Sequence, residues 1–414
     1  MTAPSGADAA GSLDRLVRTE GRAVLATLVR TTGRLDLAED AVQEAVLRAL
    51  ETWPRVGVPD HPRAWLTTVA RNRAVDIVRR EARRDHKEEE AVRMLDDDGS
   101  SDWADAQDEH DLLRLVFTCC HPTLSLDAQV ALSLRTLCGL TTPEVATALL
   151  VPEATMTKRL TRARKKIAVA NISYRVPDDH ELPDRLAGVA ATVYLVFNAG
   201  YSEPPVAPPG RDAAVEALEL AQTLHGLMPD EPSVIGLLAL VLLQQARRGG
   251  RFDADGVAIP LAHQDRSGWD RAMIEQGVVL VGDGLRRTPD RADPYVVQAA
   301  VAACHALAPT WAATDWEAVV SWYDVLLAVH DTPVVRLNRA AALAERDGPA
   351  LGLEAVDAVA GLEAYPFWCA SRAELLARLG RDEEARAAWA AARRLGLPEA
   401  NDRWVERRMD ALGR

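Results

Sequence analysis

The sequence predicts an all-α protein: two small helical modules followed by a large helical region. Three observations carry this. Apolar residues recur at three- and four-residue spacing through residues 13–80 and again after residue 108. Residues 141–166, TTPEVATALLVPEATMTKRLTRARKK, read as two short helices joined by a tight turn. The last 240 or so residues are rich in Ala and Leu, in runs of helical length broken by Pro/Gly clusters such as Glu203-Pro204-Pro205 and Pro208-Pro209-Gly210.

A chain of 414 residues is long enough for two to four domains, each with a core. No apolar run approaches the length of a membrane span, and the start, MTAPSGADAAGS, lacks the basic-then-apolar character of a signal peptide, so the expected location is the cytoplasm. Five cysteines, with Cys119 and Cys120 adjacent, argue against a disulfide framework. Net charge is −13, but it is unevenly spread. Residues 1–172 hold 24 basic and 26 acidic groups, and within them residues 81–110 carry twelve acids against four bases. The flanking parts of that half are therefore locally cationic, which is what phosphate contacts require.

In the first module, RLDLAEDAVQEAVLRALE places Ala38, Ala41, Val42, Ala45, Val46 and Ala49 on a core-facing side. Asp36, Asp40, Gln43, Glu44 and Leu47 share another face, which in most proteins would be plain surface. In HPRAWLTTVARNRAVDIVRREARR, Pro62 opens a helix whose Leu66, Val69, Ala70, Ala74 and Ile77 point inward. Trp65, Asn72, Asp76, Arg79 and Arg83 form a stripe on the other side. Such a stripe suits an unstacked nucleic-acid strand: a ring to stack, an amide for base edges, arginines for phosphate. Trp65 alone fits a core position equally well. Residues 85–107, acidic and poor in apolar side chains, read as a flexible linker.

The second module ends in the helix–turn–helix. Thr142 is expected to cap the shorter helix, with Pro143 in its first position and Glu144 at the positive end of its dipole. Val151-Pro152 then breaks it. On the following helix Met156, Leu160, Ala163 and Ile167 make a narrow apolar strip. Thr155, Lys158, Arg159, Arg162, Lys165 and Lys166 lie opposite. Residues 154–168 carry six basic groups and no acid, whereas ordinary surface helices mix signs. One buried face and one unneutralised cationic face are what docking in a major groove needs.

Within the last region, LNRAAALAERDGPALGLEAVDAV is echoed by SRAELLARLGRDEEARAAWAAARRLG, with Gly348 and Gly380 at the turns, 32 residues apart. The spacing suggests tetratricopeptide-like hairpins, with a non-repeating bundle as the alternative. Residues 250–262 break the helical pattern and suggest a short extended hairpin. His263, Asp265, Arg266 and Trp269 cluster in polar sequence, as a hydrogen-bond network or as a ligand or partner site. Cys119-Cys120-His121 with Cys138 lacks the spacing of a zinc site and reads as core, as does Cys304-His305. No metal, cofactor or catalytic residue is expected: Asp253-Ala254-Asp255-Gly256 is too short for a calcium loop, and no P-loop, nucleophile elbow or G-x-G-x-x-G occurs.

LDLAEDAVQEAVLRALETWP followed by HPRAWLTTVARNRAVDIVRR resembles region 2 of the sigma-70 family, in its compact extracytoplasmic-function group. The helix–turn–helix with EATMTKRLTRARKKI resembles region 4. The later stretches YLVFNAGYSE, LAHQDRSGWDRAMIEQG and DPYVVQAAVAACHAL resemble the subgroup with a long C-terminal tetratricopeptide-type extension. The implied domains are region 2 at 13–84, the linker at 85–107, region 4 at 108–172 and the extension at 173–414. The resemblance implies that Asp36, Asp40, Gln43, Glu44 and Leu47 dock on the clamp helices of core RNA polymerase. It implies that the loop from Thr52 to His61 and the helix after it melt and read the −10 element, with Trp65, Asn72, Asp76, Arg79 and Arg80 along the strand. Thr155, Lys158, Arg159 and Arg162 would read the −35 element, with Lys165 and Lys166 on phosphates. Promoter DNA and core polymerase are then the partners, the chain is not an enzyme, and a regulatory protein or ligand would act at the extension. Leu150 departs from the turn glycine of many such motifs. Ile172, Tyr174 and Val176 carry apolar character straight out of region 4, so the extension is expected to support the modules and not to mask them. A helix–turn–helix regulator with a sensing extension is the alternative; it has no need of the acidic face at 36–47. A repeat scaffold with an incidental basic helix leaves both region-2 faces unexplained.

Overall fold

The computed structural model describes residues 20–85 and 105–412, apart from Leu150, Asn171, Ser173, Asp179, Glu203 and 205–211; for helical residues 80–85, 105–110 and 183–184 it describes the backbone path alone. The expected linker therefore lies outside the described residues over 86–104, and its last three positions open a helix. Among the described residues the fold is all-α, as the sequence predicts. The expected hairpin at 250–262 is a single antiparallel bridge between Phe252 and Ala258.

Two compact units emerge: residues 1–196 with 207–216, and residues 197–206 with 217–414. In the first, α1 (residues 20–32) is followed by α2 (Leu35–Val56), α3 (Pro62–Asp85), α4 (Asp105–Cys119), α5 (Leu126–Thr136), α6 (Thr142–Ala148), α7 (Glu153–Val169) and most of α8 (Leu182–Tyr201). The small side chains of Ala38, Ala41, Ala45 and Ala49, all fully buried, let α2 lie close against α3, whose Leu66, Ala70 and Ala74 are buried in turn. The α3 core face is turned slightly from the expected one: Val75 and Val78 are buried, while Val69 and Ile77 are half-exposed. Helix α2 starts with Asp36 at its positive end and stops at Gly57, whose φ of 90° a side chain would resist.

The second unit runs from α9 (Ala213–Leu227) through α10 (Pro232–Gln245), α11 (Arg271–Arg287), α12 (Pro294–Leu307), α13 (Trp316–Val329), α14 (Pro333–Arg346), α15 (Pro349–Asp357), α16 (Pro366–Arg378), α17 (Asp382–Leu395) and α18 (Glu399–Ala411); the first turn of α9, to Glu216, belongs to the first unit. Residues Val234 to Leu243 of α10 are all buried, so an apolar helix with no polar face becomes the centre against which α11 and α12 pack. From α12 onward each helix packs on the next. Side chains of Asp270, Asp293, Asp315 and Thr332 cap the starts of α11 to α14, each worth about 1 kcal/mol. The two echoed segments fold as helix, turn, helix, with Gly348 and Gly380 in the turns at φ of 100° and 72°. Their shared core includes Leu337, Ala344, Leu353, Val356, Leu376 and Trp389.

Candidate nucleic-acid interface

The acidic face of α2 forms as the helical spacing predicts. Asp36, Asp40 and Leu47 are exposed, and Gln43 and Glu44 are half-exposed beside them. Asp36 pairs with Arg34 at 3.1 Å and Glu44 with Arg48 one turn on at 3.0 Å. Solvent-exposed pairs of this kind hold their partners by under 1 kcal/mol, so the carboxylates remain available. Leu47, 58% exposed, lies beside these acids.

On α3, Asn72, Asp76 and Arg79 are exposed in one line; the side chain of Arg80 lies outside the described residues. Trp65 is half-buried: its ring meets the edge of the buried Trp53 at 5.4 Å and 64°. One edge of the indole is thus fixed in the module and the rest faces out. The expected loop from Thr52 to His61 is shorter, because α2 continues through Val56. Val56 and Val58, 74% and 46% exposed, flank Gly57 there. Helical periodicity alone passes over both valines, one at the end of α2 and one in the Pro- and Gly-bounded loop after it.

The helix–turn–helix is capped one residue earlier than expected. Thr141, not Thr142, caps α6, in a reciprocal capping box with Glu144: its hydroxyl accepts from the Glu144 backbone N–H, and the Glu144 carboxylate accepts from the Thr141 N–H at 2.7 Å. Pro152 stands at the N-cap position of α7 without a side-chain capping bond, and the turn residue Leu150 lies outside the described residues. Met156, Leu160 and Ala163 are buried, and Ile167 is half-buried. Thr155, Lys158, Arg162, Lys165 and Lys166 are exposed, while Arg159 is half-exposed with Nη2 3.4 Å from Asp127. The Lys166 ammonium donates to the Thr123 carbonyl. Two of the six predicted DNA contacts are therefore engaged inside the protein.

Glu39, which spacing did not single out, ties the two modules together. It is 4% exposed, on the core side of α2. Thr136 of α5 donates its hydroxyl to Oε1, and Arg164 of α7 brings Nη2 within 2.6 Å of Oε2, near enough for charge pairing but off the line of a hydrogen bond. A second junction forms around Asp111 of α4, 1% exposed, which accepts from Arg30 of α1 at 2.8 Å and from Arg114 at 2.7 Å. The Tyr174 hydroxyl lies 2.8 Å from the Ala26 carbonyl and 2.6 Å from that of Asp111, and burial holds its pKa well above the ordinary phenol value. The available signal for Glu39 was an acid among Leu35, Leu37 and Ala38 with no basic residue one turn away on that side.

Cys119, Cys120 and Cys138 are buried free thiols, as expected. Burial pushes the Cys120 thiol up to about 11. Among the described residues no group of His, Cys, Asp or Glu could hold a metal ion, and no helix is long and apolar enough to cross a membrane.

The family model for sigma-70 region 2 matches residues 16–84, and that for sigma-70 region 4 matches residues 114–167. A family of unknown function, DUF6596, matches residues 185–284. An uncharacterized protein of Rhizobium meliloti (strain 1021) is 41% identical over 395 residues, 94% of this chain and 93% of its own length. The ECF RNA polymerase sigma factor SigL of Mycobacterium tuberculosis (strain ATCC 25618 / H37Rv) is 34% identical over 164 residues, 39% of this chain and 90% of SigL. With both sigma-70 regions matched in order on α1–α3 and α4–α7, and SigL aligned over nearly all its length, the chain belongs to the ECF sigma factors of the sigma-70 family.

Proposed function

We propose that this chain directs promoter-specific initiation as the specificity subunit of RNA polymerase, and that residues 173–414 form a tetratricopeptide-like extension that supports or regulates it. Asp36, Asp40, Gln43, Glu44 and Leu47 bind core polymerase. Trp65, Asn72, Asp76, Arg79 and Arg80 follow the opened strand of the −10 element, while the face from Thr155 to Lys166 reads the −35 element and its phosphates. The chain performs no covalent chemistry and works in the cytoplasm with the polymerase. Opening is driven by tighter binding of the melted strand than of the duplex.

One observation carries the reading: a cationic recognition helix and an exposed acidic face with a bare leucine occur on one unit. A free-standing DNA-binding regulator uses the first and has no use for the second. Reversing Asp40 and Glu44 to lysine is expected to weaken binding to core polymerase by about tenfold or more, roughly 1.4 kcal/mol. The far-UV circular dichroism should not change, since both side chains lie outside the core. Wild-type affinity in a natively folded double variant would sink the assignment and favour a regulator that acts without polymerase contact.

A further inference from the structure

Three arginines of the second unit, Arg247, Arg251 and Arg266, lie near one another. Arg247 follows α10, Arg251 follows the short 3-10 turn Arg248–Gly250, and Arg266 opens the turn Arg266–Gly268. Arg266 is 7% exposed. Its Nη1 donates to the carbonyls of His305 and Ala308 at the end of α12, at 2.6 and 2.7 Å, and its guanidinium lies over the buried Trp269 ring at 4.9 Å. Arg251 donates to the Tyr201 carbonyl and lies 3.6 Å over the Tyr201 ring, which Arg247 approaches at 5.8 Å. Among the described residues none of these three guanidinium groups forms an ion pair with a carboxylate. Asp265, next in sequence to Arg266, is exposed and caps the Ser267 N–H at 2.9 Å.

Backbone carbonyls satisfy hydrogen bonds but cancel no net charge. Three cations are thus gathered in partly desolvated surroundings, where burial and the nearby Arg247 charge both disfavour the charged forms of Arg251 and Arg266. Their field is felt nearby: burial, Arg247 and Arg266 together push the His305 imidazole down to about 4. Donors are also left over, since Arg266 Nη2, Trp269 Nε1 and the Tyr201 hydroxyl are buried without a partner. Folded proteins seldom leave buried donors unmatched. Of the residues that the sequence grouped here, His263 and Asp265 are exposed, whereas Arg266 and Trp269 belong to this cluster.

We propose that the cluster binds the oxyanion of a small molecule, a carboxylate or a phosphate, with Arg247 and Arg266 as the charged clamp and Trp269 as a further donor. The guanidinium fork matches both groups in shape and charge. The site is independent of promoter reading, and its test measures binding alone, so either proposal can fail without the other.

The full chain would be titrated by calorimetry with inorganic phosphate and, separately, with succinate, against sodium chloride at equal ionic strength. Saturable binding of at least one oxyanion is expected, with no counterpart in chloride; which one binds tells phosphate from carboxylate. Arg247→Gln should weaken it at least tenfold. This arginine is the variant of choice because it holds no helix end. A readout that needs no variant is shielding of Arg247 from phenylglyoxal by the bound oxyanion, detected by peptide mass spectrometry. The proposal is overturned if neither oxyanion saturates, if folded Arg247→Gln binds as wild type, or if Arg247 labelling is unchanged at saturating oxyanion.

Discussion

Arg159 and Lys165 lie six residues apart on α7, and under the proposed function their surroundings suit them to different work. Arg159 is half-exposed and steadied by Asp127 at 3.4 Å, whereas Lys165 is exposed. A steadied planar fork suits one base edge; a mobile ammonium suits any phosphate. Arg159→Ala is therefore expected to cost about 1–3 kcal/mol and to relax preference at one promoter position. Lys165→Ala should weaken all sequences alike and flatten the salt dependence by roughly one unit. Titration of promoter variants at several salt concentrations separates the two; unaltered position-by-position preference in Arg159→Ala would contradict the assignment. The outward positions of α7 were legible in the sequence because helical geometry places each residue by its number. Glu39 was not, because the groups that make its burial tolerable, Thr136 and Arg164, come from helices about 100 residues away in sequence. Thr141 was missed for a smaller reason: two adjacent threonines both make good caps, and only backbone geometry chooses between them.

At the scale of elements, the junction of α2 with α7 is the contact whose loss should be most visible. Removing Arg164 leaves a buried carboxylate with a hydroxyl partner only. Arg164→Ala is expected to destabilise the first unit by about 2 kcal/mol, below the usual 3–5 because Arg164 is itself 26% exposed. Replacing both partners with apolar side chains, Glu39→Leu with Arg164→Met, should recover most of that loss, since no charge then remains to desolvate. Urea denaturation of the two variants decides it; a double variant as unstable as the single would mean the pair is not what matters there. Helices were easy to read from periodicity. The 250–262 segment was harder, because its turns are held by distant partners: Arg407 pairs with Asp253 at 2.7 Å, and the Ala258 N–H donates to the Ala400 carbonyl at 3.0 Å.

For the molecule as a whole, the first unit leans on residues beyond region 4, and the point where that dependence ends sets how the chain can be cut. Tyr174 reaches the carbonyls of Ala26 and Asp111, Arg185 donates to the Phe117 carbonyl at 2.7 Å, and Thr192 lies 3.1 Å from Gln129. Arg22 pairs with Glu216 at 2.7 Å. Truncation after Val169 removes all of these and is expected to lower both thermal stability and promoter-dependent transcription. Truncation after Glu216 retains them and should melt close to the full chain's first transition. Transcription in vitro by the two truncations then separates loss of module stability from loss of the extension itself. A 1–216 protein that initiates more strongly than the full chain would make the extension an inhibitor and reverse the supporting role read from Ile172, Tyr174 and Val176. In the sequence that expectation rests only on an apolar run; which carbonyls and side chains the segment meets depends on three-dimensional neighbours that spacing does not encode.

The tie between Glu39 and Arg164 has a thermodynamic corollary. Arg164 sits on the helix that would read one promoter element, and Glu39 on a module that would read the other. If the two elements on DNA are set further apart than this contact allows, either one alone can be bound with the tie intact, whereas binding both at once requires it to break. By linkage the penalty is reciprocal: with either element bound, affinity for the other on the same fragment is lowered by the same factor. Weakening the tie should then leave binding to isolated half-promoters unchanged while raising the advantage of having both on one fragment. A single buried carboxylate would thereby set how strictly the factor demands a complete promoter.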